Sequence, residues 1–134
     1  MVKTKRVAKK SILIVEDDVV IARLLENRLK RSGYVVRVVR DGSEGLEAIE
    51  KKKPDLVLLD IVMPKVDGYM VLQELRDKKL LPELPVIVIS NSGEPVEIKR
   101  IQAMGIRDYL IKVNMNPGEV LEKVNTVFGK KYFS

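Results

Sequence analysis

Asp60 closes the apolar run Leu56-Val57-Leu58-Leu59 and is followed by Ile61-Val62-Met63-Pro64. Glu16, Asp17 and Asp18 close Ile12-Leu13-Ile14-Val15 in the same way, Ser90 closes Val86-Ile87-Val88-Ile89, and Lys112 follows Tyr109-Leu110-Ile111. A carboxylate in Asp60's position can ligate a metal, attack an electrophile as an oxygen nucleophile, or simply cap a strand. If Glu16, Asp17 and Asp60 converge, their charges repel and raise at least one pKa unless a cation sits among them. Carboxylates joined by a backbone carbonyl and water suit Mg²⁺, and Mn²⁺ accepts the same donors. With such an ion and a lysine holding phosphoryl oxygens, Asp60 could attack phosphorus to form an acyl phosphate, and Ser90 could hydrogen-bond a phosphoryl oxygen.

Each residue also has an ordinary reading. The three acids could be first-turn helix acids favoured by the dipole, Ser90 a strand-end cap, and Lys112 a solvated cation. Five residues of suitable chemistry at four strand ends favour the functional reading over that coincidence.

Composition narrows the chemistry. The 134 residues contain neither cysteine nor histidine, which removes disulfides, thiolate and imidazole metal sites, and Ser-His or Cys-His nucleophile pairs. The length fits one domain with a sizeable core. No apolar run approaches the roughly 18 residues of a membrane span, and Met1 to Lys10 has no signal-peptide core, so the expected location is the cytoplasm. The net charge is +6, with 25 basic and 19 acidic residues. Lys3, Lys5, Arg6, Lys9 and Lys10 all precede Ser11 with no acid among them, which leaves the rest of the chain close to neutral. The expected organisation is a basic, disordered tail at 1–10, one domain at 11–130 and a short end at 131–134.

The elements that must position these residues follow from periodicity. Ile12–Val15, Leu56–Leu59 and Val86–Ile89 are short runs with the continuous apolarity of strands buried on both faces. Tyr34–Val39 is β-branched but broken by Arg37, as suits an edge strand, and Tyr109–Ile111 is a short fifth strand. A first helix runs from Val19 to Ser32-Gly33 with Ile21, Ala22, Leu25 and Leu29 on one stripe. Asp41 and Glu44 form a capping box for the second, and Lys51-Lys52-Lys53-Pro54 ends it. Asp67-Gly68 opens the third, with Val71, Leu72 and Leu75 inward. Glu94-Pro95 opens the fourth, which runs to Met104-Gly105, and Asn116-Pro117-Gly118-Glu119 opens the fifth. Five strands alternating with five helices imply right-handed crossovers and an α/β fold: a single flavodoxin-like (βα)5, doubly wound parallel sheet of order 2-1-3-4-5, with the less apolar second strand at an edge.

With these motifs in view, residues 11 to about 128 resemble the receiver domain of bacterial two-component response regulators, similar in extent to the chemotaxis response regulator. The resemblance rests on Ile12-Leu13-Ile14-Val15-Glu16-Asp17-Asp18, Leu56 to Pro64, Asp67-Gly68, Val86 to Ser90, and Asp108-Tyr109-Leu110-Ile111-Lys112. It implies Asp60 as phosphoacceptor, Asp17 as a direct Mg²⁺ ligand, Glu16 as a ligand through water, and the Val62 carbonyl completing the protein donors. Lys112 becomes the phosphoryl-binding cation, and Asp18 the start of the first helix. The resemblance also implies a switch, in which Ser90 moves toward the phosphoryl group, Tyr109 follows inward, and the face of helix four, strand five and helix five is remodelled.

The expected function is therefore a signalling switch without an external enzymatic substrate. It would be phosphorylated by a sensor histidine kinase or a histidine phosphotransfer protein and read by a downstream protein, with homodimerisation an option on phosphorylation. Neither a membrane nor, for this chain alone, nucleic acid is an expected partner. One alternative is the receiver of a longer DNA-binding regulator. Another, a haloacid-dehalogenase-like phosphatase, requires a second Asp where Val62 stands, and a third, a nucleic-acid binder working through the basic tail, would show DNA affinity that falls steeply with salt and vanishes on removing residues 1 to 10. The chain departs from the family at Val113, where proline is usual, at Asn91, where a small residue is usual, and in the apolar Val62. We expect a trans Lys112–Val113 peptide, since a cis bond before a non-proline residue costs about 2.5–4 kcal/mol, and a long-lived acyl phosphate.

Overall fold

The computed structural model describes residues 9–62, 67–91 and 93–129. The expected tail up to Ala8, the loop residues 63–66, Ser92 and the end from Lys130 lie outside the described residues. Strands β1 (Ser11–Val15), β2 (Val35–Val39), β3 (Leu56–Asp60), β4 (Val86–Ser90) and β5 (Asp108–Ile111) alternate with helices α1 (Val19–Arg31), α2 (Gly42–Lys51), α3 (Gly68–Asp77), α4 (Pro95–Gln102) and α5 (Pro117–Val127). The five strands form one sheet in the order β2-β1-β3-β4-β5, every neighbouring pair parallel, as the alternation required.

The central strand explains the layering. All five residues of β3 are buried, and successive side chains alternate between two cores. Val57 and Leu59 join Val71, Leu72, Leu75 and Ile101 beneath α2, α3 and α4, whereas Leu56 and Leu58 join Leu25, Leu29, Val120 and Val124 beneath α1 and α5. A fully buried aliphatic side chain contributes roughly 1.5–3 kcal/mol, so the paired cores fix the register of the strand that carries Asp60.

Helix starts follow the capping residues. Asp18 accepts from the Val20 and Ile21 N–H groups, Asp67 from Met70 and Asn116 from Glu119. Asp18 is thus a helix cap, as expected. At α2 the Glu44 N–H donates to Asp41, but the Glu44 carboxylate accepts from the Arg40 N–H, one residue earlier than a reciprocal box requires. Helix α4 ends at Gln102 rather than at Met104-Gly105. Met104 and Gly105 bond three residues back in a tightened turn, and Gly105 takes φ +97°, where a side chain would be strained. Strand β5 begins one residue earlier than the apolar run, at Asp108, and β2 one residue later, at Val35.

Beyond β5 the Lys112–Val113 peptide is trans, and Lys112–Asn114 form a 3-10 turn before α5. Among the described residues the one cis bond is Leu81–Pro82.

Candidate phosphoacceptor and metal site

The register brings the polar strand ends together. Val15 pairs with Leu59, Asp60 with Ile89 and Ser90 with Ile111. One residue beyond the paired segments, Glu16 and Lys112 therefore flank Asp60 from either side of the sheet's middle. Glu16 is held there by its N–H to the Val39 carbonyl, and Ile61 by its N–H to Ile89.

Asp60 and Glu16 are 3 % and 2 % exposed, while Asp17 is on the surface. One carboxylate oxygen from each of the three lies within 4.8 Å of the others. Lys112 spans the two buried acids, with Nζ 3.0 Å from Glu16 Oε1 and 3.3 Å from Asp60 Oδ2. The other Asp60 oxygen, Oδ1, accepts the Val62 N–H at 3.3 Å, and Glu16 Oε2 accepts the Asp18 N–H at 3.0 Å.

Burial dominates the electrostatics. Desolvation pushes Glu16 up to about 7, against the lowering effects of the Asp18 N–H and Lys112, with the Asp60 charge adding to the rise. Desolvation likewise raises Asp60, opposed by the Lys112 charge and by its hydrogen bonds. For Lys112, burial alone would favour the neutral amine, yet the bond to Glu16 and the Asp60 charge outweigh it and hold its pKa above the ordinary value. One ammonium thus serves two buried carboxylates and leaves Asp17 facing solvent.

The donor set fits a hard divalent cation. Three carboxylates converge, two of them raised by burial. Glu16 Oε1 touches Lys112 yet receives no aligned hydrogen bond among the described residues.

Ser90 is fully buried at the end of β4, and Tyr109 is half-buried, packed against the core beneath α4. Val62 is 69 % exposed, and Asn91 and Val113 are also on the surface. In the sequence Asp67-Gly68 stands out as a motif that assigns no role to the glycine. The structure supplies one: a Cβ on Gly68 would lie 2.3 Å from the Asp60 carbonyl oxygen and 2.6 Å from Ile61 Cα. The Gly68 N–H donates to the Ile61 carbonyl at 2.8 Å, so α3 is pinned against the end of β3. A glycine immediately after a helix-capping Asp, eight residues from a candidate nucleophile, was the available signal. A second feature had no signal in the sequence. Arg100 of α4 stacks 4.4 Å from the Tyr69 ring and donates Nε–H to its hydroxyl at 3.2 Å, tying α4 to α3 beside Ile61.

A doubly wound parallel sheet with buried acids at its central switch point places them where open α/β folds bind their ligands. Among such folds, residues 12–125 match the response regulator receiver domain family, and the chain belongs to it. It is 37 % identical over 118 residues to the alkaline phosphatase synthesis transcriptional regulatory protein PhoP of Bacillus subtilis, covering 88 % of this chain and 48 % of that protein. It is also 37 % identical over 119 residues to the probable transcriptional regulator ycf27 of Cyanophora paradoxa, covering 89 % and 48 %. The chain thus spans about half the length of these curated relatives. Among solved structures it is similar to a CheY-like receiver domain protein from Methanospirillum hungatei, with TM-score 0.83 and 30 % identity over 91 % of this chain and 95 % of that one. The Francisella response regulator 1452 receiver domain gives 0.84 and 27 %, covering 90 % and 98 %. The protein is a receiver domain of the two-component response regulator type, with the CheY-like strand order. No helix among the described residues is long and apolar enough to cross a membrane.

Proposed function

We propose that this domain accepts a phosphoryl group on Asp60 from a phosphohistidine of a sensor kinase or phosphotransfer protein. The observation that carries the reading is Asp60 itself, buried at the switch point with Lys112 at 3.3 Å and two further carboxylates within 4.8 Å. An Asp60 oxygen forms a bond to phosphorus while the phosphorus–nitrogen bond breaks, its electron pair leaving with the donor's imidazole. Asp60 must be ionised to attack. Lys112 favours that form and then shifts its contact to the developing phosphoryl charge. Glu16, Asp17, Asp60 and the Val62 carbonyl would hold Mg²⁺, or Mn²⁺, which supplies Lewis-acid neutralisation of phosphoryl oxygens when bound.

In this reading Ser90 donates to a phosphoryl oxygen and Tyr109 moves inward, altering the face of α4, β5 and α5 that a downstream protein reads. The shift is limited to the phosphoryl group's differential interaction with the two conformations. Incubation with acetyl phosphate and Mg²⁺, followed by intact-mass measurement, tests the chemistry. One added phosphate on wild type and none on Asp60→Asn is the expected result, and an unmodified wild type overturns it.

A second reading, the receiver of a longer DNA-binding regulator, is favoured by the relatives' length and by their names as transcriptional regulators. The genomic reading frame around this segment distinguishes it from a single-domain switch.

A further inference from the structure

At the sheet edge opposite Asp60, the fold gathers cations that are scattered along the sequence. The Val35 N–H donates to the Lys10 carbonyl, which sets Lys9 and Lys10 beside the end of α1, where Lys30 and Arg31 stand. The Ser11 N–H donates to the Asp55 carboxylate at 2.7 Å, and Arg37 donates to the Lys52 carbonyl at 2.7 Å, which brings Lys52 and Lys53 to the same edge. All six cations are exposed. Glu26 pairs with Lys30 at 2.8 Å, and Asp55 is engaged by Ser11. The other five cations have no carboxylate partner among the described residues. The helix dipole accounts for Lys30 and Arg31 at the end of α1, but not for Lys9, Lys10 or Lys53, which lie outside helices. The acids of the phosphoacceptor site lie at the other end of the strands.

We infer that this edge, at the starts of β2, β1 and β3, binds the phosphate backbone of duplex DNA. Three adjacent strands span about 10 Å, and duplex DNA carries one phosphate per about 1.7 Å of axis, so the patch meets several phosphates at once. The sequence ahead of Lys9 carries Lys3, Lys5 and Arg6 with no acid among them. For a membrane surface as the rival polyanion, firm anchoring would call for apolar side chains inserting beside the cations. Among the described residues most exposed apolar side chains lie elsewhere: Val19, Val20, Val62, Met70, Val96 and Val113 are at the phosphoacceptor end, Leu24 lies midway along α1, and only Val35 borders the patch. Binding is sequence-independent and unaffected by Asp60.

Fluorescence anisotropy of a labelled 20-base-pair duplex against the full chain tests the inference. The expected result is saturable binding at about 50 mM salt that weakens as salt rises, with a log–log slope near −3 to −5, since each neutralised phosphate contributes about −0.9. The double substitution Lys52→Gln with Lys53→Gln should weaken binding at least fivefold and flatten the slope by about 2. Both side chains are exposed, so this variant keeps its fold, which its circular dichroism and uptake of phosphate from acetyl phosphate check independently. Substituting Lys3, Lys5 and Arg6 by Gln should leave measurable, salt-sensitive binding. Absent binding at low salt overturns the inference. So does full retention by the Lys52/Lys53 variant with loss in the tail variant, or capture by anionic vesicles but not by DNA. Because the Asp60→Asn protein should bind DNA as wild type does, failure here is separate from failure of the phosphorylation reading.

Discussion

Lys112 Nζ stands 3.0 Å from Glu16 Oε1, a shorter approach than the 3.3 Å to Asp60. The cation proposed to bind the phosphoryl group thus rests partly on an acid proposed to serve the metal. In the proposed reading Lys112 and a divalent ion would share the Glu16 and Asp60 carboxylates, and Lys112, less held by those acids, would then face an incoming phosphoryl group.

Replacing the cation tests that sharing. For Lys112→Met we expect Mg²⁺ affinity at about pH 8.5 to tighten by about tenfold, or 1.4 kcal/mol, well below the ~4 kcal/mol for unit charges 4 Å apart at an effective dielectric of 20. Phosphate uptake should slow at the same time. Calorimetric titration reads the first effect, and unchanged or weaker Mg²⁺ binding contradicts it.

The raised acids make stability depend on pH in the metal-free protein. Glu16 moves from 4.5 to about 7, so between those values the folded state binds more protons than the unfolded chain. Stability therefore falls as pH rises through that window and levels off above about 7, and the raised Asp60 acts in the same direction. Urea unfolding in chelator at successive pH values should show the decline. Glu16→Gln should flatten it, and Mg²⁺ should offset it by binding the native state alone. A stability that rises across the window contradicts the assignment.

Gly68→Ala should be costly because its Cβ would meet backbone, which yields less readily than a side-chain tip. With 2.3 Å to the Asp60 carbonyl oxygen, we expect a loss of about 1–3 kcal/mol and slower phosphate uptake, as α3 and the end of β3 move apart. Gly45→Ala meets only the Val15 methyl groups, at 3.1 Å and beyond, and should cost less. Equal losses from the two substitutions, measured by urea unfolding, would remove the special role of Gly68.

The lifetime of the acyl phosphate depends on how water reaches it. Val62 and Asn91 are exposed beside the site, and Val62 offers no polar group to orient an attacking water. We expect a half-life well beyond a few seconds with Mg²⁺ present, shortened by Val62→Asn. Decay followed by intact mass checks both, and a wild-type half-life of seconds contradicts the reading.

The strand order and the convergence of Glu16, Asp17, Asp60 and Lys112 were legible because each stands at the end of an uninterrupted apolar run. Such runs fix both burial and the end at which a polar residue emerges. Asp18, Asp67 and Asn116 were equally readable as caps, since capping is local. The Glu44 side chain was not, because the Arg40 N–H competes with that of Asp41 for it. The role of Gly68 and the Arg100–Tyr69 stack depend on how closely α3 and α4 approach β3, which periodicity does not encode. The basic edge was hidden for a related reason: Lys9, Lys30 and Lys52 are far apart in sequence and come to one end of the sheet because parallel strands start together and the helices end there.

The most direct test of the central claim is the position of the phosphate. Protein treated with acetyl phosphate and Mg²⁺, trapped with hydroxylamine and mapped by peptide mass spectrometry, should carry its hydroxamate on Asp60, with Glu16, Asp17 and Asp18 unmodified. A hydroxamate on one of those acids, or none on the peptide containing Asp60, would contradict the account.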